Sequence, residues 1–316
     1  MGLGKKDQNL EGTRMIKVGV IGVGVMGRNH ARVYSELQDV ELIGVADSNK
    51  EQATAVAREF KTKAFTSHKE LLEQDLDAVT IAVPTSMHKG IAVDVANAGV
   101  DMLIEKPIAE SIDSANEIIS KCESNDVILM IGHIERFNPI IPIIKKSIKD
   151  SEVVSISITR LGPLPPRIKD VGVIVDLAVH DIDLIRFITE SDFKKIYSLY
   201  SKAFSIYEDT AIISFEMENN ILANIITSWL IPFKIREINI ATKEKFIKGC
   251  LINQKVTEFS KYVDGSYIVK ELNVPYGEPL KIELQLFLDS VGKRLKPAVT
   301  GQDGKKALEI ALRCLK

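Results

Sequence analysis

The residues Gly22-Val23-Gly24-Val25-Met26-Gly27 fit the spacing G-x-G-x-x-G directly after a β-branched run. In a strand–turn–helix unit, the first glycine makes the tight turn and the second lets backbone N–H groups approach a pyrophosphate. The third lets helix and strand pack closely. The anion then lies on the helix N-terminus, beside Val25 and Met26. Asp47, followed by Ser48, ends the next apolar run 20 residues after Gly27. A carboxylate there accepts the ribose hydroxyls of an adenosine and repels a 2′-phosphate, so the set predicts NAD rather than NADP.

Two further groups have the types for proton and hydride chemistry. Glu105-Lys106-Pro107 closes another apolar run. Ligands of open α/β sheets lie beyond the carboxyl ends of the strands, where Lys106 would reach the nicotinamide end of a dinucleotide. Asp176, His180 and Asp183 stand at i, i+4 and i+7, one face of a helix flanked by Leu177, Val179, Ile182, Leu184 and Ile185. From the residues alone that face has three readings: a shared metal ion, a solvated polar face, or an acid–base pair in which Asp176 orients His180. Arg136, Arg160, Arg167 and Lys169 flank the same predicted cleft. Arginine suits phosphate oxygens through bidentate hydrogen bonds. Trp229, the only tryptophan, ends an apolar run and is expected in the core rather than under a sugar ring.

The elements that must position these groups fall into two stretches. Five short apolar runs, Ile16–Ile21, Glu41–Ala46, Ala78–Val83, Asp101–Glu105 and Val127–Ile131, alternate with amphipathic helical patterns. That alternation predicts an α/β, doubly wound parallel sheet over 15–132, preceded by a polar extension, 1–14. After Asn138-Pro139 come a helix, a strand over Glu152–Arg160, a proline-rich loop and the helix carrying Asp176 and His180. Seven alternating runs between Lys194 and Leu272 then predict an open, mainly antiparallel sheet in a second, α+β domain, 133–316.

Composition narrows the classes. Lys+Arg 41 against Asp+Glu 43 gives a net charge of −2, which offers no field for nucleic acid. The longest apolar stretch, Ile221–Phe233, is broken by Asn224 and Pro232 and is too short to span a membrane. Met1–Arg14 lacks the apolar segment of a secretory signal. Cys122, Cys250 and Cys314 form no metal-binding pattern, so reduced thiols in a cytoplasmic protein are expected.

Taken together the motifs resemble the glucose–fructose oxidoreductase, inositol dehydrogenase and rhizopine-catabolism (Gfo/Idh/MocA) oxidoreductase family. The likeness covers nearly all of 15–316. It is carried by Gly22–Gly27 with Arg28 and His30, by Pro84-Thr85-Ser86-Met87-His88, by Glu105-Lys106-Pro107, by Gly132–Pro139 and by Asp176–Asp183. The resemblance implies an N-terminal Rossmann domain binding NAD(P), a second domain lying over the nicotinamide, and a homo-oligomer formed through the C-terminal sheet. It implies that Lys106 is the active-site lysine, that Pro84, Thr85, His88 and Glu105 border the cofactor, and that Asp176 and His180 lie opposite the lysine. It selects the acid–base reading, with His180 as general acid/base, no metal, and a structural role for Asp183. Ala178 stands where the family often has glycine. Gly132-His133-Ile134-Glu135-Arg136-Phe137-Asn138-Pro139 and Arg160–Arg167 resemble the branch that oxidises nucleotide-linked N-acetylamino sugars. That implies C3 of UDP-N-acetylglucosamine as the oxidised carbon and Arg136, Arg160 and Arg167 as phosphate contacts. A free cyclitol or aldose is the alternative substrate, and a non-catalytic NAD-binding sensor the alternative of another class.

Overall fold

The computed structural model describes residues 14–164, 171–263 and 265–316. Arg167 and Lys169, and nearly all of the expected N-terminal extension, lie outside the described residues.

The first half runs β1 (Ile16–Ile21), α1 (Val25–Glu36), β2 (Val40–Ala46), α2 (Lys50–Glu59), β3 (Lys63–Phe65), α3 (His68–Leu72), β4 (Ala78–Ile81), α4 (Thr85–Asn97), β5 (Asp101–Glu105), α5 (Ile112–Ser124) and β6 (Leu129–Gly132). The six strands form one parallel sheet in the order β3-β2-β1-β4-β5-β6. Strand order reverses between β1 and β4, the switch point where ligands of such sheets bind. β4 and β5 are buried throughout, so apolar residues fill both faces and the runs read as continuous rather than alternating. The edge strand β3, with only three residues and two of them exposed, carries too little apolar patterning to be predicted.

The second half follows a 3-10 turn, Ile134–Phe137. It contains α6 (Ile140–Ile148), β7 (Val153–Pro163), a π-helical turn (Ile174–Ala178), α7 (Val179–Thr189), β8 (Phe193–Ser201), β9 (Thr210–Met217), β10 (Leu222–Ser228), β11 (Leu230–Thr242), β12 (Lys245–Cys250), β13 (Lys255–Val263) and β14 (Ser266–Leu272). These strands form an eight-stranded sheet, β14-β13-β12-β11-β7-β10-β9-β8. All its pairs are antiparallel except β7 with β10. One face packs Ile156, Ile158, Ile213, Phe215, Ile225, Ile238 and Ile240 against α6 and α7. The other face places Leu199, Ile212 and Ile226 side by side on β8, β9 and β10, all exposed.

The last two helices tie the halves together. α8 (Pro279–Lys293) puts Leu284, Phe287 and Leu288 into the core of the parallel sheet. α9 (Gly301–Arg313), closed at its start by a Thr300/Asp303 capping box, gives Leu308 to that core and Ala307, Ile310 and Ala311 to the other. Among the described residues no helix is long and apolar enough to cross a membrane.

Candidate active site

The glycine turn has the three jobs its spacing predicts. Gly22 sits at φ +83°, and a Cβ there would lie 2.7 Å from the Ala82 carbonyl oxygen. A Cβ on Gly27 would lie 1.8 Å from the Gly22 oxygen, so only glycine lets α1 approach β1. At Gly24 a Cβ would meet nothing within 4 Å: the space in front of it is open. Gly24 is the N-cap of α1, makes no side-chain cap, and no acidic residue stands in the first turn. The N-terminal N–H groups and the positive end of the helix dipole thus face open space. Val25 is exposed and Met26 half-buried beside them. Asp47 ends β2 with Oδ2 accepting from the Val23 N–H and Oδ1 from the Asn49 N–H, each at 2.9 Å. Its carboxylate is thereby fixed against the turn, with the exposed Ser48 next to it. These residues fit the pyrophosphate and adenosine ribose of a dinucleotide.

At the end of β5, Lys106 reaches across to the π-helical turn. Its Nζ donates to the Asp176 carbonyl at 2.6 Å and to Asp176 Oδ1 at 3.0 Å. Both side chains are largely buried. The lysine is supported from behind: Glu105 Oε2 accepts the Lys106 backbone N–H at 3.2 Å, and Oε1 lies 3.0 Å from His30 Nε2. Burial alone would raise the Glu105 carboxyl, but His30 and Lys106 hold it below the usual value. Pro84 and Thr85 lie at the start of α4, Pro84 exposed and Thr85 half-buried. His88 is 1% exposed, with Nδ1 3.0 Å from the Pro107 carbonyl and Nε2 3.0 Å from that of Val83. Burial lowers its pKa, and a neutral imidazole carries one N–H, so it donates to one of these carbonyls while packed between the two strand-end loops.

His180 is half-buried in the first turn of α7. Its Nδ1 has no hydrogen-bond partner among the described residues, and its ring meets His133 edge-on at 6.2 Å. Burial, then the Lys106 charge, then Arg160 push the imidazole well below its ordinary pKa, leaving it neutral and able to accept a proton. The expected pairing of Asp176 with His180 is corrected by the structure. The wide π-helical turn takes Asp176 out of the i, i+4 register of a regular helix, and its carboxylate bonds the lysine instead.

The arginines also differ from expectation. Arg160 is 2% exposed, with Nε and Nη2 on Asp181 at 2.7–2.9 Å and Nη1 on Glu135 Oε1 at 2.8 Å. Arg136 binds Asp183 bidentately, both contacts 2.6 Å, and stacks over Phe187. Both guanidiniums are spent inside the protein, which corrects their reading as phosphate contacts. Asp183 has the structural role expected of it. Sequence reasoning missed Glu135 and Asp181, the acids that hold Arg160, and Arg236, which also reaches Glu135 Oε1 at 3.0 Å. Their only signal is charge inside otherwise apolar elements. It missed Glu283 on α8 too, which is 0% exposed and has no partner for either carboxyl oxygen among the described residues. Burial, then Glu105, raise that carboxyl well above the usual range. Trp229 is in the core, as expected.

A dinucleotide cradle at the switch point, with a lysine at the end of β5 whose charge acts on a neutral histidine of α7, defines an NAD-dependent oxidoreductase. Residues 16–133 match the family described as oxidoreductase family, NAD-binding Rossmann fold, and 152–247 match the GFO/IDH/MocA C-terminal domain. The chain belongs to the Gfo/Idh/MocA oxidoreductase family. It is 30% identical over 302 residues to UDP-N-acetylglucosamine 3-dehydrogenase of Acidithiobacillus ferrooxidans, covering 94% of this chain and 95% of that one. A solved structure of that enzyme superposes with a TM-score of 0.89 at 29% identity, covering 95% of this chain and 96% of that chain. The scyllo-inositol 2-dehydrogenase (NAD(+)) of Bacillus subtilis is 26% identical over 94% of this chain and 92% of its own.

Proposed function

We propose that the protein oxidises a secondary hydroxyl of a sugar, with C3 of UDP-N-acetylglucosamine as the first choice. The observation that carries the chemistry is the Lys106 ammonium held by Asp176 beside a neutral, half-buried His180. His180 takes the hydroxyl proton. Lys106 hydrogen-bonds the same oxygen and stabilises the negative charge that develops there. Asp176 keeps the lysine aimed, while Gly24, the first turn of α1 and Asp47 hold the dinucleotide. NAD, when bound, supplies the hydride acceptor.

Whole-length similarity to the Acidithiobacillus enzyme supports the substrate. One observation favours a second reading, a free cyclitol or aldose: Arg136 and Arg160 are committed to internal carboxylates. Following NADH absorbance against a panel of UDP-sugars and free polyols separates the two. Turnover of polyols with none of UDP-N-acetylglucosamine rejects the first choice. The exposed row Leu199, Ile212 and Ile226 supports a homo-oligomer in which a second copy covers the eight-stranded sheet. The three cysteines are free, which suits a reducing cytoplasm.

A further inference from the structure

Arg236 stands directly opposite Arg160 in the β7–β11 pairing. Like charges facing each other across a ladder are destabilising. Here one acceptor, Glu135 Oε1, serves both, taking Arg160 Nη1 at 2.8 Å and Arg236 Nη1 at 3.0 Å. The two guanidiniums are otherwise unlike. Arg160 is enclosed and fully bonded, whereas the Arg236 side chain is 35% exposed, and its Nε and Nη2 have no acceptor among the described residues. Its charge also reaches the reaction centre, as one of the cations that lower the His180 pKa. A like-charged neighbour, an acceptor already shared and two uncommitted donors make a guanidinium suited to an anion.

We propose that Arg236 is the substrate-anion contact, binding an anionic oxygen carried by the substrate a short way from the oxidised hydroxyl. The chemistry is that of a phosphate or a carboxylate. The reading rests on the sugar-oxidoreductase function above, and the diphosphate of a nucleotide sugar is the source it favours.

The test compares wild type with Arg236→Gln and Arg236→Lys in steady-state kinetics, each with a thermal melt. Substrates are UDP-N-acetylglucosamine, a sugar acid and free myo-inositol. Glu135 keeps its bond to Arg160 in both variants, so both are expected to melt close to wild type. The expected result is a KM for UDP-N-acetylglucosamine raised about 10- to 100-fold in Arg236→Gln, with a smaller change in kcat and the KM for NAD little changed, since each charge-assisted bond is worth that much and binds ground and transition states largely alike. Arg236→Lys, a cation without the fork, should fall between. A similar rise confined to the sugar acid supports the contact with a carboxylate as its source. An unchanged KM in a well-folded Arg236→Gln overturns the inference while leaving the nucleotide-sugar reading standing. Wild type that oxidises only myo-inositol and does not bind UDP overturns both.

Discussion

Around the glycine turn, polar groups meet through neighbouring elements: Asp47 at the end of β2 takes the N–H of Val23 and that of Asn49. Across the second sheet the same kind of fixing draws on residues far apart in sequence. Arg160 on β7, Asp181 on α7 and Glu135 in the 3-10 turn form one buried network, which the partly exposed Arg236 on β11 joins through Glu135. The first arrangement depends on local spacing within one strand–turn–helix unit and the strand beside it. The second depends on which acid finds which base once the sheet has closed. Edits at the glycine turn should therefore cost cofactor binding and leave the fold standing, whereas edits to the buried Arg160–Asp181–Glu135 pairs should cost the fold before the chemistry.

The largest effect expected is on the chemistry between the halves. Lys106→Ala and His180→Ala should each lower turnover by between about 10² and 10⁴, with NAD affinity near wild type. Full activity in His180→Ala would show that proton transfer happens elsewhere, and full activity in Lys106→Ala that another group stabilises the developing negative charge. Next comes Arg160→Ala, which strands Asp181 and Glu135 in the interior and should cost about 3–5 kcal/mol of stability. A denaturant titration reads this directly, and activity toward every substrate should fall together. A stable Arg160→Ala with a selective KM defect would return that arginine to the substrate and erase the contrast.

Asp47→Ala probes the other half. Losing one charge-assisted bond to the ribose should narrow the preference for NAD over NADP by about tenfold, while the Val23 and Asn49 N–H groups lose their acceptor and the still-folded protein melts a few degrees lower. Equal affinity of the unmodified protein for the two cofactors would remove Asp47 from that role. The smallest effect concerns Glu283. Its folded-state pKa is raised by burial and by Glu105, so its stabilising contribution is intact below the unfolded value, about 4.3, and drains away as pH rises toward the folded one. Glu283→Gln has no such proton to lose. Its melting temperature should drop less than that of wild type, by a few degrees, between about pH 5 and pH 8. Parallel pH profiles would mean that Glu283 is charged in the folded protein.

How much of this was legible follows the same division. Strand limits in the parallel sheet came out within a few residues because β4 and β5 are apolar on both faces, with helices between them. The roles of Gly22, Gly24 and Gly27 followed from spacing, since each is a local steric fact. The Asp176–His180 pairing holds only on a regular helix, and nothing in Ile174–Ala178 announces a π-helical turn. Arg160 and Arg136 read as phosphate contacts in the sequence because their acids, Asp181 and Asp183, sit in a segment assigned to catalysis or structure. Arg236 is silent in the sequence because a single cation in a strand carries no signal until its opposite number, Arg160, is seen to be buried.

The path of α8 and α9 has a consequence for how the chain is made. The core of the nucleotide-binding sheet lacks Leu284, Phe287, Leu288 and Leu308 until those residues have been synthesised. During translation the NAD half is therefore an unfinished body, with apolar surface on α1, α5 and β6 uncovered while the whole second sheet emerges behind it. Its maturation waits for the tail, and a stalled ribosome that has passed β14 but not α8 would hold two sheets and no working enzyme.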